Sequence, residues 1–194
     1  MVAKVFFSSD HHLLHDVMFK TFTISCPKCQ GKACLDCGFS GKVPARPFKS
    51  REEMHTYMRE KHNAVVGKND HWYCLGDIVI DKTAYGWKLA AEELQKYNGV
   101  KRLILGNHDH LDVTKYREVF GKVRGYQRID NLIFSHIPIH PSCIPRGGIN
   151  VHGHTHTQNI EGPYLNLSVE QIDYTPVSLE VIRERAAQIL SQNS

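Results

Sequence analysis

The sequence predicts an α/β sandwich with mixed sheets, built as one domain over residues 1–194. Short apolar runs alternate with segments of helical period in the first part of the chain, and later short strands follow one another as hairpins. At 194 residues the chain is long enough for one well-filled core and too short for two of ordinary size. Polar residues stand where the apolar runs stop, and strand ends with their loops form the crevice in which α/β sheets bind ligands.

Residues 2–9 read as a buried first strand that ends at Asp10. A cysteine-rich insertion over 21–42 then interrupts the chain. Ser50 and Glu53 make a capping box for a helix over 51–65, whose Met54, Tyr57, Met58 and Val65 share one face. The next strand, 71–75, stops at Gly76-Asp77. Trp87, Ala90, Ala91, Leu94 and Tyr97 keep helical spacing, with Gly99 as the stop. A strand over 101–105 ends at Gly106-Asn107, and a short helix covers 113–120. Strands over 126–129 and 132–135 flank the Asp130-Asn131 turn, the latter ending at His136. Residues 149–152 lead to Gly153-His154, and 165–169 form a further strand. The final helix is expected to begin near Thr175-Pro176, with Leu179, Ile182, Ala186 and Ile189 turned inward.

Four of the six cysteines fall in the spacing Cys26-x2-Cys29-x4-Cys34-x2-Cys37. Each Cys-x-x-Cys knuckle offers two thiolates, and two knuckles complete the tetrahedral sulfur shell of a closed structural zinc site. The small segment would be held by its own ion. An iron–sulfur cluster of the x4, x2 spacing would leave Cys26 idle and would need a distant fourth cysteine. Redox-active thiols are the other alternative. Cys74 sits in an apolar run as a buried strand residue, and Cys143 is a loop bystander.

Composition excludes several classes. With 41% hydrophobic and 23% charged residues, the chain is neither disordered nor fibrous. No apolar run approaches the ~20 residues that span a bilayer, so no membrane partner is expected. The N-terminal segment does not show the pattern of a secretory signal, and a cytoplasmic location is expected. A net charge of +4 permits an anionic substrate, and nucleic acid is possible but not required.

The chain has 13 histidines, most of them in tight groups, and imidazole is both a common metal ligand and a physiological acid–base. Asp10, Asp77, Asn107, His136 and His154 follow strand ends directly or after one glycine, with His12, His108, Asp109 and His156 close by. Such an oxygen and nitrogen set exceeds the needs of one ion and suits two borderline divalent ions such as Mn, Fe, Co, Ni or Zn.

Asp10-His-His12, Gly76-Asp77, Gly106-Asn107-His108-Asp109, His136 and Gly153-His154-Thr-His156 occur in the order of the five motifs of the calcineurin-like metallophosphoesterases. The chain resembles that family from its first strand to residue 156, and the small bacterial and phage-type members most. The resemblance implies a four-layer α/β/β/α sandwich of two mixed sheets with a dinuclear metal site. It assigns Asp10, His12 and His156 to one metal, Asn107, His136 and His154 to the other, and Asp77 to both. It gives His108 to the leaving group or developing charge, and the adjacent Asp109 is expected to orient that imidazole, the usual partnership of histidine with carboxylate. His15 is a candidate for lining the cleft. Arg146, in a loop rich in proline and glycine, is a candidate phosphate clamp because guanidinium matches phosphate geometry.

The expected activity is metal-dependent phosphoester hydrolysis, of a nucleotide-type or other small phosphodiester. The alternatives are a phosphomonoesterase or nucleotidase, and a non-catalytic scaffold or nucleic-acid-binding module that uses the zinc insertion. Nothing in the sequence fixes the oligomeric state.

Overall fold

The computed structural model describes residues 2–192. In chain order the first elements are β1 (Val5–Ser8), α1 (Val17–Lys20), β2 (Thr23–Ser25), β3 (Lys42–Pro44), α2 (Arg51–Val65), β4 (His71–Cys74) and α3 (Ala84–Leu94). There follow β5 (Val100–Ile104), α4 (Val113–Tyr116), β6 (Lys122–Arg124), β7 (Gln127–Ile129), β8 (Leu132–Phe134), β9 (Ile149–His152), β10 (Tyr164–Asn166), β11 (Val177–Ser178) and α5 (Leu179–Gln192).

Two mixed sheets form the body. The first has the order β11-β1-β4-β5-β6, parallel throughout except for β11. The second has the order β10-β9-β8-β7, parallel except for the β7–β8 hairpin. Side chains alternate across each strand, and this alternation separates two cores. Phe6, Trp72, Cys74 and Leu103 turn outward to meet Met54 and Met58 of α2 and Trp87, Ala90 and Leu94 of α3. Phe7, Tyr73, Leu75 and Ile104 turn inward to meet Leu132, Phe134, Ile149 and Val151 of the second sheet. Stacked rings of Phe7 and Phe134, 4.1 Å apart, join the sheets. Helix α5 packs on β11, β1 and β10 and sends Ile182 and Ala186 into the inner core. This is the α/β sandwich of two mixed sheets that the sequence predicts.

Local chemistry accounts for the sharpest boundary. Ser50 caps α2 by accepting the Glu53 N–H, so the helix starts where expected, while the Glu53 carboxylate accepts the Lys49 N–H in place of the Ser50 N–H of a reciprocal capping box. The chain end differs from expectation. Val177 and Ser178 pair antiparallel with Phe7 and Phe6, so Pro176 precedes a strand and the helix starts at Leu179. The expected strand over 165–169 shortens to Tyr164–Asn166, and its last residue joins a 3-10 turn over Val169–Gln171.

The cysteine-rich segment is a hairpin of β2 and β3, with Ile24 opposite Val43. Its strand β3 runs to Pro44, and the base is fastened by the Ala45 N–H to the Phe22 carbonyl at 2.8 Å.

Candidate metal centres

Five strands of the two sheets end at one place. Asp10 follows β1, Asp77 follows β4, Asn107 follows β5, His136 follows β8, and His154 and His156 follow β9. Main-chain bonds tie these ends together: Asp10 N–H to the Gly76 carbonyl, His12 N–H to the Asp77 carbonyl, and Gly153 N–H to the His136 carbonyl. Asp10, His12, Asp77, His154 and His156 all have φ between 48° and 68°, the left-handed region that non-glycine residues avoid. Each such residue costs about 1–2 kcal/mol, so the cores hold the ligating turns against local preference. Gly76 has no freedom to vary, because a Cβ there would lie 2.7 Å from Gly106 Cα and from His136 Nδ1. A Cβ at Gly153 would collide with the Ser9 and Asp10 side chains.

The side chains form two groups. In the first, Asp10, His12 and His156 bring ligand atoms within 4.8 Å of one another, and in the second Asp77, His136 and His154 do the same. Asp10 Oδ2 accepts the His154 N–H and the Ser168 hydroxyl, each at 2.9 Å, which leaves Oδ1 buried without a partner. That oxygen lies 3.8 Å from His12 Nε2 and 3.9 Å from His156 Nε2. Both ring nitrogens of His12 are also buried and unpartnered. Burial, and after it the charge of Arg46, pushes the His12 imidazole well below the usual histidine range, so it is held neutral.

In the second group the Leu75 carbonyl, which can only accept, lies 2.8 Å from His136 Nδ1 and so takes the proton on that nitrogen. Nε2, the nitrogen an ion would take, faces Asn107 Oδ1 at 2.8 Å and Asp77 Oδ2 at 3.3 Å. Ligand atoms converging in this way, with buried atoms of the first group left unpaired, form the donor set of a cation. Asp77 Oδ2 is also 3.7 Å from His12 Nε2, so it faces both groups, while Oδ1 accepts the His108 N–H. The oxygen and nitrogen donors fit divalent ions.

The other candidate residues divide. His108 is half-buried, with its ring 5.9 Å from that of His12, and His15 lies at the same ring distance with Nδ1 unpartnered. Asp109 corrects an expectation. Its carboxylate does not serve the His108 imidazole: Oδ2 accepts the Gly106 and Asp77 N–H groups and Oδ1 accepts that of Ile78. Burial raises its pKa to about 6, and its structural work is to staple the turns after β4 and β5. Arg146 is exposed and hydrogen-bonds to no residue of the two groups.

Two residues at the site escaped the sequence reading. Glu170 accepts the Nδ1–H of His156 at 3.1 Å, and fully buried Arg46 bonds Glu170 at 2.8 Å. A signal existed for Glu170, since Asn166, Ser168 and Glu170 form a polar row of period two at the end of an apolar strand. Arg46 carried none, because only the fold brings it there.

The four cysteines of the insertion stand apart from these groups. Their closest sulfurs are 3.7–3.9 Å from one another, too far for disulfides. Zn–S bonds of about 2.3 Å in a tetrahedron put sulfurs about 3.8 Å apart, so the cluster fits one zinc ion. The Cys34 N–H stabilises the Cys37 thiolate and brings that group down to about 6.

Two mixed sheets that meet at a doubled histidine–carboxylate cluster define a metallophosphoesterase. Residues 3–193 match the model of the calcineurin-like phosphoesterases, and the chain belongs to that family. An uncharacterized protein of Methanocaldococcus jannaschii is 34% identical over 145 residues, which cover 71% of this chain and 77% of that protein. A crystal structure of a protein of unknown function from Aquifex aeolicus shares the fold. Its TM-score is 0.65 at 22% identity, over 94% of this chain and 99% of that one. Among the described residues no helix is long and apolar enough to cross a membrane.

Proposed function

We propose that the chain is a dinuclear metal-dependent phosphodiesterase acting on a nucleotide-type or other small phosphodiester. The observation that carries this reading is Asp77 Oδ2, set between His12 Nε2 at 3.7 Å and His136 Nε2 at 3.3 Å. Asp10, His12 and His156 would hold one ion, Asn107, His136 and His154 the other, and Asp77 both. When bound, two divalent ions supply Lewis acidity toward the phosphoryl oxygens and acidify water in the cleft. Mn, Fe, Co, Ni and Zn all suit these donors. The cysteine cluster takes a structural zinc.

The chain's own residues supply the rest. His108, with its backbone fixed on Asp77 Oδ1, presents an imidazole to the cleft and passes a proton to the departing oxygen. His15 lines the same cleft. Beside His136 lies a hollow of about 500 Å³ walled by Leu105, Tyr126, Ile133, Ile137, Ile139 and Cys143, a size that suits the organic part of a small substrate. The diester preference rests on the resemblance to the small bacterial and phage-type members of the family.

The test is hydrolysis of an aryl phosphodiester and the matching monoester with Mn2+, followed by cyclic nucleotides and short oligonucleotides. The diester should be cleaved with the higher kcat/KM. A monoester preference, or no turnover of either, overturns the proposal.

A further inference from the structure

The two groups of ligands are oriented by different parts of the chain. His136 is set by the Leu75 carbonyl at the end of β4. His156 is set by Glu170, and Glu170 is reached from the cysteine insertion. Arg46 follows β3 by two residues and is 0% exposed. Its Nε bonds Glu170 Oε1, its Nη1 bonds the His11 carbonyl at 2.7 Å, and its Nη2 bonds the Asp10 carbonyl. The other stem of the hairpin supplies Phe22, whose ring lies 5.2 Å from that of His156. His12 stacks on His156 at 5.1 Å. Both stems of the insertion therefore bear on the first group, and the Phe22–Ala45 bond holds the stems together. Cys26 continues the connection, since its N–H bonds the Gly41 carbonyl beside β3.

We propose that Arg46 and Glu170 are positioning residues for the Asp10–His12–His156 group, and that the zinc-held insertion keeps them and Phe22 in place. The insertion thus sets the affinity of one of the two ion sites. This rests on the reading of the cleft as a two-ion site. A buried ion pair adds little net stability over apolar groups of the same volume, so stability alone does not account for the pair. Carboxylate partners of ligating histidines orient the ring and raise its basicity, and their loss commonly weakens metal binding 10–100-fold.

The test uses the full chain with its zinc, freed of cleft ions by a mild chelator and titrated with Mn2+ by calorimetry and electron paramagnetic resonance. Wild type should bind two Mn2+ ions. Glu170→Gln should weaken one of them about 10–100-fold and leave the other unchanged. Phe22→Ala should weaken the same ion by less. The double variant Cys34→Ser/Cys37→Ser, which releases zinc, should reproduce the selective loss. Two wild-type affinities in Glu170→Gln, or equal weakening of both with a lower Tm, overturn the proposal. If Glu170→Gln does not fold, Phe22→Ala decides in the same way. Normal ion binding without diester hydrolysis would sink the phosphodiesterase and leave this inference standing. Unaltered ion binding in the variants would do the reverse.

Discussion

The Asp77–His136–His154 group and the Asp10–His12–His156 group use similar ligands and are supported differently. Asp77 and His136 emerge from adjoining strand ends, and His136 takes its tautomer from a main-chain carbonyl of the core. In the other group, His156 leans on a side-chain relay, Glu170 to Arg46, that reaches an appended hairpin. Main-chain support is inseparable from the fold. Side-chain support can be changed without rebuilding the sheets, so one half of a two-ion site can be tuned while the other stays fixed.

The largest effect should come from the residue both groups share. Asp77→Asn should reduce turnover to background and, by elemental analysis, leave one tightly held zinc where wild type carries three ions. Retention of two cleft ions would remove the bridging role. His108→Ala is next, with a loss of about 10²–10⁴ in kcat expected for an acid–base group. Its Mn2+ content should stay normal, because the ring serves neither group as a ligand. Lost metal would show that the imidazole belongs to the ion sites.

A smaller effect separates the two kinds of support. Without cleft ions, His136→Ala should destabilise the fold by about 0.5–1.5 kcal/mol, since the Leu75 carbonyl loses one of its two donors and keeps the Ser9 hydroxyl. His156→Ala should cost the ion-free protein less, because its side chain is 18% exposed and Glu170 keeps the Arg46 guanidinium when the imidazole is lost. Urea unfolding of the two stripped variants makes the comparison. A His156 variant as unstable as the His136 one would erase the distinction.

The difference also explains what the sequence disclosed. Ligands of both groups were legible because each follows the end of an apolar strand within a few residues, and such a stretch is written in consecutive positions. Helix α2 was legible through Ser50 and Glu53. Strand β11, of two residues, was not, because it exists by pairing with Phe6 and Phe7 far along the chain. Strand β6, Lys-Val-Arg, offered too short a pattern and took its place beside β5 in the finished sheet. Arg46 was hidden for the same reason: its partners at 10, 11 and 170 are assembled by the fold. The assignment of Asp109 to His108 relied on adjacency, but neighbouring side chains on a turn diverge, and backbone N–H groups claimed the carboxylate first.

The smallest effect tests whether the strand-borne group inherits the stability of the core beneath it. His62 of α2 is 1% exposed, its ring 4.6 Å from Trp72 of β4, and its Nε2–H donates to the Asn98 carbonyl. Burial lowers its pKa to about 4, with the Asn98 carbonyl opposing and Lys101 adding to the shift. The unfolded chain takes up this proton near pH 6.5, so stability falls as pH drops from 6.5 and the loss is complete below about 4. Between pH 7 and pH 5.5 His62 should account for about 1 kcal/mol of that loss. His62→Gln keeps a donor for Asn98 and removes the titration, so its unfolding free energy should fall less steeply over this interval. Parallel slopes in wild type and variant would show that β4, and with it the Asp77 end of the site, is indifferent to the charge of this histidine.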